Sequence, residues 1–213
     1  MTEFTDKWQQ NRNGESAGQR IKEAVNPPTD LKKKLVETDR SLNSQISKLD
    51  KTLAKMTEKE KSLFNRTSSA FQKHDTTMAH AYANELSEHR KAMKLVQGAK
   101  LSLEQVQMRL RTITDYGDLA NVIAPVGQVV RTVRKNLQSV MPGANDTLSE
   151  INSGLEGMMQ EIGTVPGMNL SFDTNGEEAE KILAEASVIA ETKMSGSFPS
   201  IPDLPDQATN TSI

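Results

Sequence analysis

The chain contains no cysteine, which removes both a disulfide framework and a thiolate metal site; a reducing compartment is compatible with this and is not proved by it. Aromatic residues are scarce as well, at 4% of 213 residues, and apolar residues of every kind reach only 35%. A globule around one thick core needs more. Helices that each bury a narrow stripe against a neighbour need no more than this. Long apolar runs are also missing. No stretch approaches the ~20 apolar residues needed to cross a bilayer. The start, MTEFTDKWQQNRNGES, has no apolar signal-peptide core, so secretion is not indicated and any membrane contact is expected to be peripheral.

Catalytic and cofactor patterns are absent in the same way. There is no G-x-x-x-x-G-K-[ST] phosphate loop, no dinucleotide fingerprint, no H-E-x-x-H and no G-x-S-x-G elbow. His74, His80 and His89 lack a recognised ligand spacing and read as exposed or hairpin-turn residues. An enzyme is therefore the least favoured class, and neither a cofactor nor a metal is expected.

What the chain does have is charge, unevenly spread. Residues 1–30 carry 4 Lys and Arg against 5 Asp and Glu, residues 31–113 carry 17 against 9, and residues 114–213 carry 5 against 14. A net charge of −2 thus hides a basic half and an acidic half. The basic half is suited to an anionic surface, to the chain's own acidic end, or to each in turn.

Pro27 and Pro28 close a polar segment, residues 1–28, that reads as a flexible arm. From Thr29 to about Gln72 there is neither Pro nor Gly, and Thr29 or Asp30 can cap a helix roughly 40 residues long. Leu42, Leu49, Met56 and Leu63 keep a seven-residue beat there, with Leu35, Ile46 and Leu53 beside them. A second segment, about Thr76 to Thr114, repeats it with Val96, Leu103 and Leu110 next to Met93, Ala99, Val106 and Ile113. The pair predicts an antiparallel helical hairpin. Gly98 interrupts the second helix and allows a bend or the close approach of its partner.

Shorter helices follow, at about Leu119–Val140, with Pro125 expected to kink or break it, and at Asp146–Ile162, capped by Asn145 or Asp146. The organisation expected is an all-α chain: a helical core over 29–162, a linker over 163–176, an acidic helix over 177–194 and a proline-rich tail over 195–213. In the acidic helix Ile182, Leu183, Ala186, Ile189 and Ala190 share one face, with Glu180 and Glu191 opposite.

Three features point to binding. Lys48, Lys51, Lys55, Lys59 and Arg66 fall in one sector of the first helix, turned away from its apolar line, with Lys32, Lys33 and Lys34 clustered at its start. Such a row attracts anionic headgroups at about 1 kcal/mol per residue near a surface, and nucleic-acid phosphate by the same physics; the plain alternative is a solvated face. No aromatic side chain is interleaved with these lysines, so membrane is favoured over single-stranded nucleic acid. Phe4 and Trp8 share a helix face and suit either a short amphipathic anchor or docking of Trp8 on the core. In Phe198-Pro199-Ser200-Ile201-Pro202-Asp203-Leu204-Pro205 an apolar residue before Pro recurs every three residues, which matches polyproline II and a preformed linear ligand; a tail with incidental prolines is the alternative.

Ala81 to Gly117, AYANELSEHRKAMKLVQGAKLSLEQVQMRLRTITDYG, with its Ala-Asn-Glu-Leu, Arg-Lys and Leu-Glu-Gln-Val-x-x-Arg-Leu elements, resembles the second helix of archaeal ESCRT-III proteins of the CdvB cell-division type. The Phe-x-x-x-Trp start, the Val140-Met141-Pro142 break and the Ala-containing last helix fit the same family. The resemblance covers nearly the whole chain. It implies a hairpin with shorter helices that polymerises with itself and with paralogous subunits on the inner face of the cell membrane at a cytoplasmic division site. It also implies disassembly by a CdvC-type AAA ATPase whose MIT domain binds Phe198, Pro199, Ile201, Pro202, Leu204 and Pro205, and no winged-helix domain is expected after that segment. The acidic helix, through Ile182, Leu183, Ala186 and Ile189, would fold back on the basic hairpin and hold the monomer closed. The rival readings are a coiled-coil scaffold that coats membranes without an ATPase and a helical nucleic-acid-binding protein; the proline-rich tail argues against the first.

Overall fold

The computed structural model describes residues 29–113, 116–163 and 176–199. Phe4 and Trp8, most of the linker, and Ile201, Pro202, Leu204 and Pro205 lie outside the described residues. Five α-helices follow in order: α1 Thr29–Gln72, α2 Thr76–Arg111, α3 Tyr116–Leu137, α4 Asn145–Gly163 and α5 Gly176–Ser197, with a 3-10 turn at Pro142–Ala144 ahead of α4. Among the described residues there is no strand.

The heptad lines form the hairpin seam as expected. Leu42, Leu49 and Leu63 of α1, and Met93, Val96, Ala99, Leu103, Val106 and Leu110 of α2, are buried, with Leu35, Leu53, Met56 and Ile113 partly covered beside them. The turn is tight. Asp75 N–H donates to the Ala70 carbonyl and His74 N–H to that of Phe71, a Schellman closure with His74 at φ 57°, while the Asp75 carboxylate caps α2 by accepting from Met78 N–H at 3.0 Å.

The remaining helices stack around α2. Its other sides meet α3 and α5, while α4 packs on α3 and on α1. This second and third contact on α2 is why Leu101 and Ser102, adjacent to the seam residue Leu103, are buried as well. Polar residues of α1 are inside too: Thr38, Gln45, Glu60 and Thr67 are buried, the last two on the seam line of Ile46 and Leu53, and both side-chain polar atoms of Gln45 lack a partner.

Four expectations need correction. Pro125 does not break α3, which runs on to Leu137. The N–H it lacks would have bonded the carbonyl of Asn121, an exposed residue whose carbonyl water can satisfy. Neither Asn145 nor Asp146 caps α4, because the 3-10 turn leads straight into it with Asn145 already in helical backbone. The residues after Met194 are not without helix: α5 continues to Ser197, whose hydroxyl bonds back to the Lys193 carbonyl at 2.6 Å. Gly98 faces α5, not α1; a Cβ built there would lie 4.0 Å from Ala190 Cβ.

Candidate functional site

The basic sector of α1 is a flank of the hairpin, because the seam faces α2 and the charges point away from it. Lys32, Lys33, Lys48, Lys51, Lys55, Lys59 and Arg66 are exposed. Neighbouring elements engage part of the stripe: Lys34 pairs with Glu161 of α4 at 2.7 Å, Lys48 donates to Thr147 Oγ1 at 3.3 Å, and Lys59 lies 3.3 Å from Glu85 of α2. Among the described residues Lys51, Lys55 and Arg66 pair with no carboxylate. The free part of the stripe therefore lies in the distal half of α1, and its proximal end is bordered by α4.

The acidic helix folds back on the hairpin through α2, and packs on α3 as well, away from the lysine stripe of α1. Glu191 pairs with Lys94, Glu178 with Arg109, and Gln105 Nε2 donates to Glu185 at 3.3 Å, so the carboxylates of α5 meet α2. Its buried seam is Ala179, Ile182, Ala186 and Ala190, with Leu183 partly covered. Ile189, expected on that face, is 40% exposed beside Val188. Small alanines let α5 approach Gly98 and Leu101 closely, and this turns the alanine seam inward and Ile189 outward.

The docking is thin. Ile182 is the one large side chain of α5 that is fully buried, a contribution of about 1.5–3 kcal/mol. The two ion pairs to α2 are substantially exposed and add about 0–1 kcal/mol each.

At the end of α5 the structure brings together residues that spacing did not connect. Arg90 of α2 donates from Nε at 2.9 Å and from Nη2 at 2.5 Å to the buried Glu60 carboxylate of α1. The same guanidinium lies 5.1 Å from the Phe198 ring centroid, and Nη2 donates to the Pro199 carbonyl at 3.1 Å. A groove of about 780 Å³ opens beside this contact, with Leu53, Phe64 and Met93 among its lining residues. The start of the proline-rich segment is thus seated on the hairpin. Glu60 continues the seven-residue line of Ile46 and Leu53 but was missed because a carboxylate there reads as a break in the apolar stripe; its partner is set by hairpin register.

The histidines separate. His74 is the αL residue of the hairpin turn, whereas His89 is half-buried and its Nε2 lies 2.8 Å from the Met56 carbonyl. A carbonyl only accepts, so this nitrogen carries the proton. It is a structural cross-hairpin bond, not an exposed residue.

Residues 37–208 of the chain match the Snf7 family. The chain belongs to the Snf7 (ESCRT-III) family. Within it, the chain is similar to Cell division protein B1 of Sulfolobus acidocaldarius, 38% identical over 172 residues that cover 81% of this chain and 80% of that protein. It is also similar to Cell division protein B of the same organism, 26% identical over 177 residues, 83% of this chain and 68% of that protein. These likenesses support the CdvB type. No solved structure matches the chain. The all-helical hairpin with its shorter helices is the ESCRT-III arrangement expected from the second-helix motif, and among the described residues no helix is long and apolar enough to cross a membrane.

Proposed function

We propose that the chain is a polymer-forming subunit that acts in cell division on an anionic membrane surface, is restrained by α5, and is withdrawn from the polymer by an AAA ATPase that grips its proline-rich end. The observation that carries this reading is the exposure of Lys51, Lys55 and Arg66, none paired with a carboxylate among the described residues although Glu58 stands nearby, along a hairpin flank that α5 leaves uncovered. A rod with one adhesive charged side can lie on a surface and pack beside its copies. The names of the two relatives support a division role, and the thin docking of α5 supports a restraint that neighbouring subunits can displace. Of the proposed MIT-binding residues, Phe198 and Pro199 lie against Arg90, so a partner taking them in extended form competes with that contact.

The test is co-sedimentation with anionic and neutral vesicles across a salt series, with the pellets imaged by negative stain. Wild type, a variant with Lys48, Lys51, Lys55 and Lys59 all changed to Glu, and a chain lacking residues 177–213 are compared. Salt-sensitive pelleting with filaments, lost in the charge variant and enhanced by the deletion, is expected. A chain that stays soluble on every vesicle even after the deletion overturns the reading, and binding to duplex DNA with a steep salt slope would replace it with a nucleic-acid function.

A further inference from the structure

Where α1 turns into α2, the hairpin tip holds an open cavity of about 800 Å³. Asn65, Arg66 and Ser69 line it from the end of α1, Lys73 and Asp75 from the turn and Tyr82 from α2. Lys73 follows the last residue of α1, but its N–H still bonds the Ser69 carbonyl at 3.2 Å, so it stays near the helical course about 10 Å along the axis from Arg66, with Ser69 between them.

Three observations distinguish this patch from a solvated charge run. Among the described residues, neither cation pairs with a carboxylate, unlike Lys34 and Lys59 of α1. The acid in the lining, Asp75, is committed to the N-terminus of α2 through Met78 N–H. The side chains of Asn65, Ser69 and Tyr82 make no hydrogen bond within the described residues, whereas Thr67 on the same turn of α1 bonds back to the Leu63 carbonyl at 2.9 Å. The Schellman closure at His74 fixes the backbone between the two walls. The result is a fork-shaped cation, a point cation and neutral groups able to donate around one concavity, with one Asp75 carboxylate oxygen held by Met78 N–H.

We propose that the hairpin tip is a binding site for a phosphate group, taken between the Arg66 guanidinium and the Lys73 ammonium with Ser69, Tyr82 and Asn65 as further donors. Phosphate oxygens accept charge-assisted bonds from this set, bidentately from arginine. The group can belong to a lipid headgroup or be free in solution. Only the lipid source rests on the membrane reading.

The test follows the backbone amides of Ser69, Lys73 and Tyr82 in the full chain by ¹H–¹⁵N NMR during titration with inorganic phosphate, against chloride at matched ionic strength. Saturable shifts with phosphate alone are expected, weakened about tenfold in Arg66→Gln and in Lys73→Gln, and unchanged when Lys48, Lys51 and Lys55 are changed to Gln. A parallel flotation assay uses vesicles of phosphatidylcholine with and without phosphatidic acid. If the tip variants lose vesicle binding more steeply per charge removed than the stripe variant does, the source is the headgroup. If they lose phosphate shifts but float as wild type, the source is free phosphate. The proposal is overturned if phosphate gives no saturable shift at the tip and the tip variants float no worse, charge for charge, than the stripe variant. Saturable shifts that survive both substitutions also overturn it. Failure of all vesicle binding, with phosphate shifts intact, removes the membrane reading and leaves the site.

Discussion

His74 sits in the left-handed region at the hairpin turn, where a side chain is strained by roughly 1 kcal/mol or more and glycine is not. Replacing it by Gly should raise the denaturant midpoint by an amount worth about 1 kcal/mol, read by chemical unfolding at constant m-value. Lys100 supplies a pH-dependent contact. Its ammonium reaches Asp50 across the hairpin at 2.6 Å, and that hydrogen bond, reinforced by Glu104 at 3.4 Å and opposed by partial burial, holds its pKa above the ordinary lysine value. A raised pKa stabilises the fold fully below the ordinary value near ~10.4, and the contribution fades as pH rises through the folded-state value. The difference in melting temperature between wild type and Lys100→Gln should therefore be constant at neutral pH and shrink in strong alkali. A difference that does not change with pH would show that Lys100 acts through packing alone.

At the scale of elements, periodicity reads well where a helix has a single buried face. The seam of α1 with α2 was legible for that reason, and so were the bounds of α1, since Pro28 precedes its first residue and no Pro or Gly falls within it. It reads poorly where a helix has several. Leu101 and Ser102 look like off-stripe positions until α5 covers them, and the burial of Thr38 and Gln45 depends on α4. Thr38 Oγ1 would be 3.2 Å from a Cβ at Gly154, which shows how closely α4 approaches. The Arg90, Glu60 and Phe198 cluster joins three helices or their ends, and although Glu60 continues the line of Ile46 and Leu53, nothing local pairs it with Arg90 or Phe198. The α5 seam offers a direct experiment. A Cβ at Gly98 would stand 4.0 Å from that of Ala190, within the ~3.5–4.5 Å a disulfide spans, and the chain has no cysteine to compete. Gly98→Cys combined with Ala190→Cys should hold α5 in place when oxidised and suppress filament growth, with recovery on reduction, scored by pelleting. Equal growth in both states would show that release of α5 is not required.

For the whole molecule, the opposition of a basic and an acidic half was visible in the sequence, but not how it is resolved. Charge counting suggested that the acidic helix folds back on the basic hairpin, without saying on which side. The structure sends its carboxylates to Lys94 and Arg109 of α2 and leaves Lys51, Lys55 and Arg66 of α1 open. Adhesion and restraint are then separate properties. The oxidised double-cysteine variant should float with anionic vesicles as well as its reduced form does, even while it fails to form filaments. Loss of flotation on oxidation would tie the two together.

The 44 residues of α1 form one continuous element about 66 Å long. Mechanically that is a lever arm. If its base is seated against a neighbour with a change of only 10° or so, the far end sweeps through roughly 11 Å over a rod of that length. A turn of the chain carrying Arg66 and Lys73 at the end of such an arm would register small differences in the tilt of its support as large differences in reach.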